Sequence, residues 1–429
     1  MPLILGANSL AGGYQVKNST RFASGDSLTR TVTASSATSY TVSFWLKLSD
    51  QTYSSTPYIF SIGSTAGNGI YLDSADRKIY FFKQSTSSFL NLYNGVLRDP
   101  SAWYHIVWSV SSGTGTGYIN GITGNSHSSI PALNDNTGTK ISIHDYVGGG
   151  YNNVGCYLSE YYFIDGQALT PSSFGETDED SGIWKPKAYT GTYGTNGFYL
   201  QFKNSASLGT DSSGNGNNFT VNNLTSVDQS TDTPTNNFTT LNPLLYSTLI
   251  TYTEGNLKFT NTSSGQRMVA SSIAPTTGKW YAECRVTSLG GNYPQVGVLD
   301  TSIYTMDTYV GALARGYGYA SHGQVYNNAG ALTTGLATYT TNDIIGVALD
   351  LDNNYVYFSK NGTFINSGVP TSGSSGTGGW AITDGYDYSF GSSSLDSGTD
   401  PVFDWNFGSP FYSANSYTDG AGYGNFSYA

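Results

Sequence analysis

The stretch IIGVALDLDNNYVYFSKNG, Ile344 to Gly362, decides how the chain is read. It sets Asp350, Asp352 and Asn354 at alternate positions, the spacing that opens an EF-hand calcium loop. Such a loop also needs Gly at its sixth position and a bidentate Glu at its twelfth, and counting from Asp350 those places hold Tyr355 and Asn361. The flanks, IIGVALDL and YVYFS, are β-branched and aromatic where an EF-hand has helices. Asp and Asn bond their own backbone and tolerate positive φ, so DNN predicts a turn between two strands. Asn361-Gly362 predicts a second tight turn.

The same parts recur along the chain. WYHIVWSV (Trp103–Val110) is an apolar run, SSGTGTG turns it, and a short strand ends in Asn120-Gly121. YTVSFWLKL (Tyr40–Leu48), CYLSEYYFI, GFYLQF (Gly197–Phe202), KWYAECRVTS (Lys279–Ser288), PQVGVLD (Pro294–Asp300) and VFDWNFGSPF (Val402–Phe411) read as further strands. Of 429 residues only 11% are charged, against 53 Gly and 35 Tyr, a poor supply for long amphipathic helices. With 38% hydrophobic and 14% aromatic residues the chain buries cores. The expected class is all-β, two antiparallel β-sandwich (jelly-roll) domains in series. The expected boundaries are an N-terminal arm over 1–20, a sandwich over 21–228, a linker over 229–250, a second sandwich over 251–411 and a Tyr/Gly-rich tail over 412–429, packed or flexible.

The balance of 18 basic and 29 acidic residues, net −11, comes without a Lys/Arg cluster and argues against a nucleic-acid partner. Cys156 and Cys284 lie in apolar strand patterns and read as buried free thiols. The first residues lack a basic n-region and make a poor signal peptide, and no window reaches 18 apolar residues, so membrane insertion by a helix is not expected.

The second half resembles the SPRY domain family, on GKWYAECRV with QVGVLD, the opening hairpin and DWNFGSPF. The first half resembles concanavalin-A-like, laminin-G-like sandwiches, on TVSFWLKLSD, WYHIVWSV, GYINGI and YYFIDGQALTPSSFGE. FIDGQALTPSSF together with DSSGNGNNFTVNN resembles virion structural, fibre or decoration proteins of tailed bacteriophages. The resemblance implies a virion location, a non-enzymatic fibre, knob or decoration role, homo-oligomerisation and docking to other virion proteins. The alternatives it leaves are a tail-fibre lectin for host surface glycan and a polysaccharide depolymerase.

A retaining glycosidase needs two carboxylates about 5 Å apart. The nearest pattern, Glu176-Thr-Asp178-Glu179-Asp180-Ser181, lacks its last carboxylate and reads as a solvated acidic loop, so no catalytic residue is assigned. His105 lies in a strand and His127, His144 and His322 in loops, none at metal-ligand spacing. No cofactor or metal ligand is assigned, with one structural calcium left open at Asp145, Asp165 and the carbonyls of VGGGYNN, as the resemblance implies. The Tyr-rich stretch holding Tyr304, Tyr309, Tyr317, Tyr319 and Tyr326 is the candidate sugar-binding loop; a subunit interface and buried strand tyrosines are its competing readings. Leu3, Ile4 and Leu5 are the candidate docking residues of the arm.

Overall fold

The computed structural model describes the chain outside residues 1–12, 33–37, 50–55, 65, 133–139, 150–153, 246–248, 263, 292–293, 306, 396–398, 419–421, 423 and 429. Within it the opening stretch is a hairpin. Ile344–Asp350 and Tyr355–Lys360 pair antiparallel, with Asp350 opposite Tyr355. Asp350 Oδ1 accepts the backbone N–H groups of Asp352 at 3.1 Å and Asn353 at 3.0 Å; Oδ2 accepts from Asn353 Nδ2 at 2.9 Å and from Lys279 Nζ. Asp352 Oδ1 accepts from the Gly278 amide at 2.8 Å, tying the turn to the next strand. Both carboxylates therefore serve the turn. Asn361 and Gly362 stand at φ +48° and +79°, the type I′ pair that starts a return strand at Thr363–Phe364. The same device, φ +50° and +77°, joins Thr114–Ile119 to Ile122–His127 at Asn120-Gly121.

The fold is all-β, with no α-helix among the described residues, in two compact units, residues 1–237 and 238–429. In the first, an eight-stranded sheet centres on Tyr40–Leu48 between Tyr104–Ser111 and Cys156–Asp165. A seven-stranded sheet faces it, running Lys140–Ile143, Tyr58–Gly63, Gly67–Leu72, Ile79–Lys83 and, at the edge, Ser88–Asn91. Strand alternation sends Val42, Phe44, Leu46, Ile106 and Trp108 to meet Phe60, Ile70, Leu72 and Phe81, with Phe81 and Trp108 stacked at 5.0 Å. The second unit pairs an eight-stranded sheet, built on Val402–Asn406, Lys279–Ser288 and the opening hairpin, with a six-stranded one built on Tyr388–Leu395, Gln295–Asp300 and Gly316–Ala320. Cys156 and Cys284 are buried free thiols, one in each unit.

Three expected boundaries move, through buried polar groups that find partners and through one buried apolar side chain. The linker drawn over 229–250 is no linker up to Asn237. Gln229–Ser230 pairs with Ser19–Phe22, and Asp232, 2% exposed, meets Lys47, 1% exposed, at 2.7 Å. Asn237 Oδ1 also accepts from Lys47 Nζ at 2.8 Å, and Asp232 Oδ1 from Trp103 Nε1 at 2.9 Å. The second unit begins well before 251, since Leu241 is fully buried in its core and bridges to Ser271. The arm ends early as well. Ser19–Phe22 is a strand against Cys156–Asp165, and Val16 is held by Thr233 and Thr235.

The tail packs on the outer face of the eight-stranded sheet of the second unit. Glu283, fully buried, accepts the backbone N–H groups of Ser427 at 2.8 Å and Tyr428 at 2.9 Å, and Asn406 Nδ2 at 3.1 Å. Tyr412 lies over the Arg285 guanidinium at 3.9 Å, and Phe426 meets the Tyr281 ring edge-on at 5.2 Å.

Removing one member of a buried pair leaves the other charge uncompensated. Asp232→Ala is therefore expected to cost about 3–5 kcal/mol, and Asp232→Asn less because it keeps a hydrogen-bond acceptor. Urea melts of the full chain measure both; an Asp232→Ala melt matching the unaltered protein would refute the role given to residues 229–237.

Candidate functional site

The five candidate tyrosines do not form one platform. Tyr317 and Tyr319 point inward from Gly316–Ala320 and are 5% and 0% exposed. The alternate positions of that strand are Gly316, Gly318 and Ala320, and a Cβ on Gly318 would lie 2.2 Å from the Gln295 side chain. Two of the five are thus core residues, the outcome that strand alternation imposes. Tyr304 belongs to a strap across the outer face of the six-stranded sheet, its hydroxyl donating to the Met268 carbonyl. The strap is pinned by Val310 N to Ser393 Oγ at 3.1 Å and Gly311 N to Gln295 Oε1 at 2.8 Å. Only Tyr309 and Tyr326 meet at the surface, edge-on at 6.2 Å; His322 Nε2 lies 3.0 Å from the Tyr326 hydroxyl, which donates to Gln324. Leu3, Ile4 and Leu5 lie outside the described residues.

The acidic loop is a charged hairpin. Glu176 and Asp178 flank Lys185, 3.7 and 2.9 Å from its Nζ, and Lys187 stands 3.9 Å from Glu176. The Lys185 bond, with those of Ser181, holds the Asp178 carboxyl well below the usual carboxylate range. Asp145 and Asp165 are spent locally, on the amides of Tyr146 at 2.7 Å and Asn196 at 3.0 Å. Among the described residues no three His, Cys, Asp or Glu side chains gather as metal ligands.

His127 ends a strand and His144 follows one directly, where loops were expected. Both ring nitrogens of His144 face backbone carbonyls, of Asp26 at 2.9 Å and Val154 at 2.6 Å. His105 is sandwiched between Trp45 and Trp184, centroids 4.9 and 6.0 Å away. Trp184 Nε1 donates to its Nδ1 at 3.0 Å, so the ring proton sits on Nε2 and goes to Ser43 Oγ at 2.9 Å. Burial pushes its pKa down to about 3, which keeps the ring neutral.

Two constellations escaped the sequence reading. The first surrounds Glu160, 4% exposed, at an irregularity in the pairing of Cys156–Asp165 with Tyr40–Leu48 and at φ +47°. A non-glycine residue there carries strain of about 1–3 kcal/mol. Its Oε2 accepts the hydroxyls of Tyr14 and Tyr162, each at 2.7 Å, and its Oε1 that of Tyr199 at 2.7 Å. Burial raises the carboxyl's pKa, and the three hydroxyl bonds only partly oppose it. Burial beside this acid also pushes Tyr14 up to about 12.

The second is an aromatic outer face on the seven-stranded sheet. Tyr58, Tyr71, Tyr80, Phe82, Phe89 and Tyr146 form one connected set of rings, neighbours 4.7–6.3 Å apart. Gly69 makes room, since a Cβ there would lie 2.7 Å from the Tyr58 ring. Tyr58 and Tyr71 are buried by their neighbours, while Phe89 on the edge strand is 60% exposed.

Residues 22–173 match the concanavalin A-like lectin/glucanases superfamily, and residues 279–378 match the SPRY domain. The chain carries a concanavalin A-like domain followed by a SPRY domain. No curated protein matches it. Among solved structures, the SPRY domain of human HERC1 is 18% identical, covering 38% of this chain and 96% of that one with a TM-score of 0.32. A heptameric SAP-like pentraxin from Limulus polyphemus is 19% identical over 37% of this chain and 80% of its own, TM-score 0.30. Stonustoxin is 17% identical over 39% and 27%, TM-score 0.30.

The matched part of the concanavalin A-like domain holds Glu160 and Phe89 but stops before Tyr199 and Asp232. The signal for Glu160 was a carboxylate inside CYLSEYYFI, an apolar run that buries both faces. For Phe89, in the strand Ser88–Asn91, it was the neighbouring strand IYFFK, whose aromatic residues at successive positions supply both faces.

A carboxyl whose folded pKa is raised gives stability that is fully present below its unfolded value and fades as pH rises through the folded one. The concanavalin A-like domain should therefore lose stability relative to Glu160→Gln as pH climbs from the ordinary glutamate value of 4.5. Urea melts across that range measure the difference, and parallel profiles would remove Glu160 as the titrating group. Glu160→Ala, which strands three tyrosine hydroxyls, should cost about 3 kcal/mol at acidic pH and less as pH rises.

Proposed function

We propose that the chain is a non-enzymatic structural protein of a tailed-phage virion, a fibre, knob or decoration subunit that displays its concanavalin A-like and SPRY domains. The observation that carries the non-catalytic part is how the carboxylates are spent. Asp178 is held by Lys185, Glu160 by three tyrosines and Glu283 by the backbone of the tail. An acid with its lone pairs occupied by its own chain presents neither a nucleophile nor a proton to a sugar.

The virion part rests on the resemblance of FIDGQALTPSSF and DSSGNGNNFTVNN to phage structural proteins, and both pieces act as fold determinants. Thr41 Oγ1 donates to the Gln167 carbonyl at 2.9 Å and accepts the Leu169 amide at 2.8 Å. Asp211 accepts the amides of Tyr199 at 2.9 Å and Asn217 at 2.8 Å. Docking to other virion proteins falls to Leu3, Ile4 and Leu5, with the particle setting the oligomer. A lectin role on the same particle is the second reading, favoured by the exposed ring of Phe89.

Deletion of residues 2–12 stops short of Tyr14 and its bond to Glu160. The truncated protein should melt like the full chain and be missing from purified particles. Electron microscopy of particles labelled with antibody against the chain locates it, and purified protein should release no reducing sugar from host polysaccharide. Particles lacking the chain, or turnover lost in Glu176→Gln, would overturn the proposal.

A further inference from the structure

Lys47 stands against two side chains at once. Its Nζ lies 2.7 Å from Asp232 Oδ2 and 2.8 Å from Asn237 Oδ1. The ion pair needs only the first contact. The second sets an amine against the carbonyl of a primary amide, with a carboxylate beside them both.

Each member of this set is held in place. Lys47 projects from the buried strand Tyr40–Leu48, and its Nζ lies 5.8 Å from the centre of the Tyr157 ring. Asp232 Oδ1 accepts from Trp103 Nε1 at 2.9 Å. The Asp232 backbone is fixed as well, its N–H donating to Ser230 Oγ at 3.1 Å and its carbonyl accepting from Ser19 Oγ at 2.6 Å. Asn237 Nδ2 donates to the Ser101 carbonyl at 2.8 Å, so the amide is anchored through its nitrogen and its oxygen. Lys47, Asp232 and Trp103 are buried, while Asn237 reaches the surface.

We propose that Lys47 and Asn237 join in an isopeptide bond, with Asp232 as the acid–base group of the reaction. Asp232 takes a proton from Nζ at a distance suited to a general base. The Nζ lone pair then forms a bond to Asn237 Cγ, which is one C=O length, about 1.2 Å, from the oxygen that Nζ already touches. The Cγ–Nδ2 bond breaks, and Nδ2 leaves as ammonia with a proton delivered by Asp232. Of the three protons that an ammonium carries, one stays on the new amide, one departs with ammonia and one remains on Asp232. The balance closes without an oxidant or a co-reactant.

Two physical terms favour this outcome. Amines and amides free in water do not react readily, but fixing the two groups together acts as an effective concentration on the order of 10⁵–10⁸ M. The reaction also replaces a buried ion pair with two neutral groups, which removes the desolvation cost of both charges. The exposed side of Asn237 gives ammonia its exit. Asp232 is the base and not the partner, because a carboxylate meets the attacking lone pair with its own negative charge. The bond closes a span of 190 residues and ties the last residue of the first unit to its central strand. Tension arriving through the chain beyond Asn237 then reaches that strand directly, without peeling Gln229–Ser230 from Ser19–Phe22.

The test is the intact mass of the purified full chain, with peptide mapping. The expected mass lies one ammonia below that of the sequence. Trypsin should leave Lys47 uncut and release one branched peptide that holds Lys47 and Asn237. Asp232→Asn keeps an acceptor for Lys47 and removes the base, and should restore the full mass. Asn237→Ala, a change at an exposed position that leaves the ion pair in place, should do the same. A full sequence mass in the unaltered, folded protein would overturn the proposal. Loss of water, which joins Lys47 to Asp232, would overturn it too, as would loss of ammonia that maps to an Asn-Gly pair such as Asn361-Gly362. A branched peptide that persists in Asp232→Asn would remove Asp232 from the chemistry.

Discussion

The outer face of the larger sheet in the first domain depends on one buried charge. Lys47 sits in the central strand Tyr40–Leu48, all nine residues of which are buried. Its neighbours in that strand satisfy the inner face by packing, but an ammonium group on the outer face requires an anion at hydrogen-bond distance. Asp232 supplies it from a stretch so polar that it reads as a linker, and Trp103 and Asn237 complete the shell. Once Asp232 is committed, Gln229–Ser230 is drawn into register beside Ser19–Phe22, and the N-terminal strand gains its second neighbour. The second domain solves the same problem with opposite sign. Glu283, buried in the middle of Lys279–Ser288, is met by backbone N–H groups of the tail. In each domain a central charge recruits a distant polar segment as a lid over the outer face.

What was legible in the sequence follows from the range of the interactions involved. The hairpin Ile344–Gly362 was readable because its determinants are local: Asp350 bonds amides two and three residues on, and Asn361-Gly362 needs only its own φ angles. Strand positions were readable for the same reason, since alternation is a property of neighbours. The strap at 229–237 was not, because nothing in VDQSTDTPTNN states that Lys47 lies within reach. The available signal was the lysine in SFWLKLS, a charge in a strand otherwise apolar on both faces. The candidate site failed on parity. Tyr317 and Tyr319 differ from exposed loop tyrosines only in lying on a strand whose intervening residues are glycines. GYGYA reads as a loop by composition and as a core strand by period, and packing chose the period.

The tyrosines explain how a chain with few charged residues satisfies its buried polar groups. A buried acid needs donors, and Lys or Arg would bring a second charge to desolvate. The phenolic hydroxyl donates one hydrogen bond and carries an apolar ring that packs. Around Glu160 three such rings do both at once, with Tyr162 and Tyr199 stacked at 4.2 Å while their hydroxyls meet the carboxylate. The strained backbone of Glu160 is the cost of turning that side chain away from the inner face of an alternating strand, and the irregular register is where the sheet absorbs it.

This economy also limits what the surface can recognise. Acids held as Asp178, Glu160 and Glu283 are held have few lone pairs left for an outside ligand. On the reading proposed above, recognition falls to groups that act without net charge, which are ring faces and amides. Such contacts are individually weak, depend on shape rather than on long-range attraction, and are little screened by salt. They gain strength when several copies engage one polymer at once, because the second contact forms at high effective concentration. A protein displayed in many copies on one particle, as proposed above, would therefore need no tight single site.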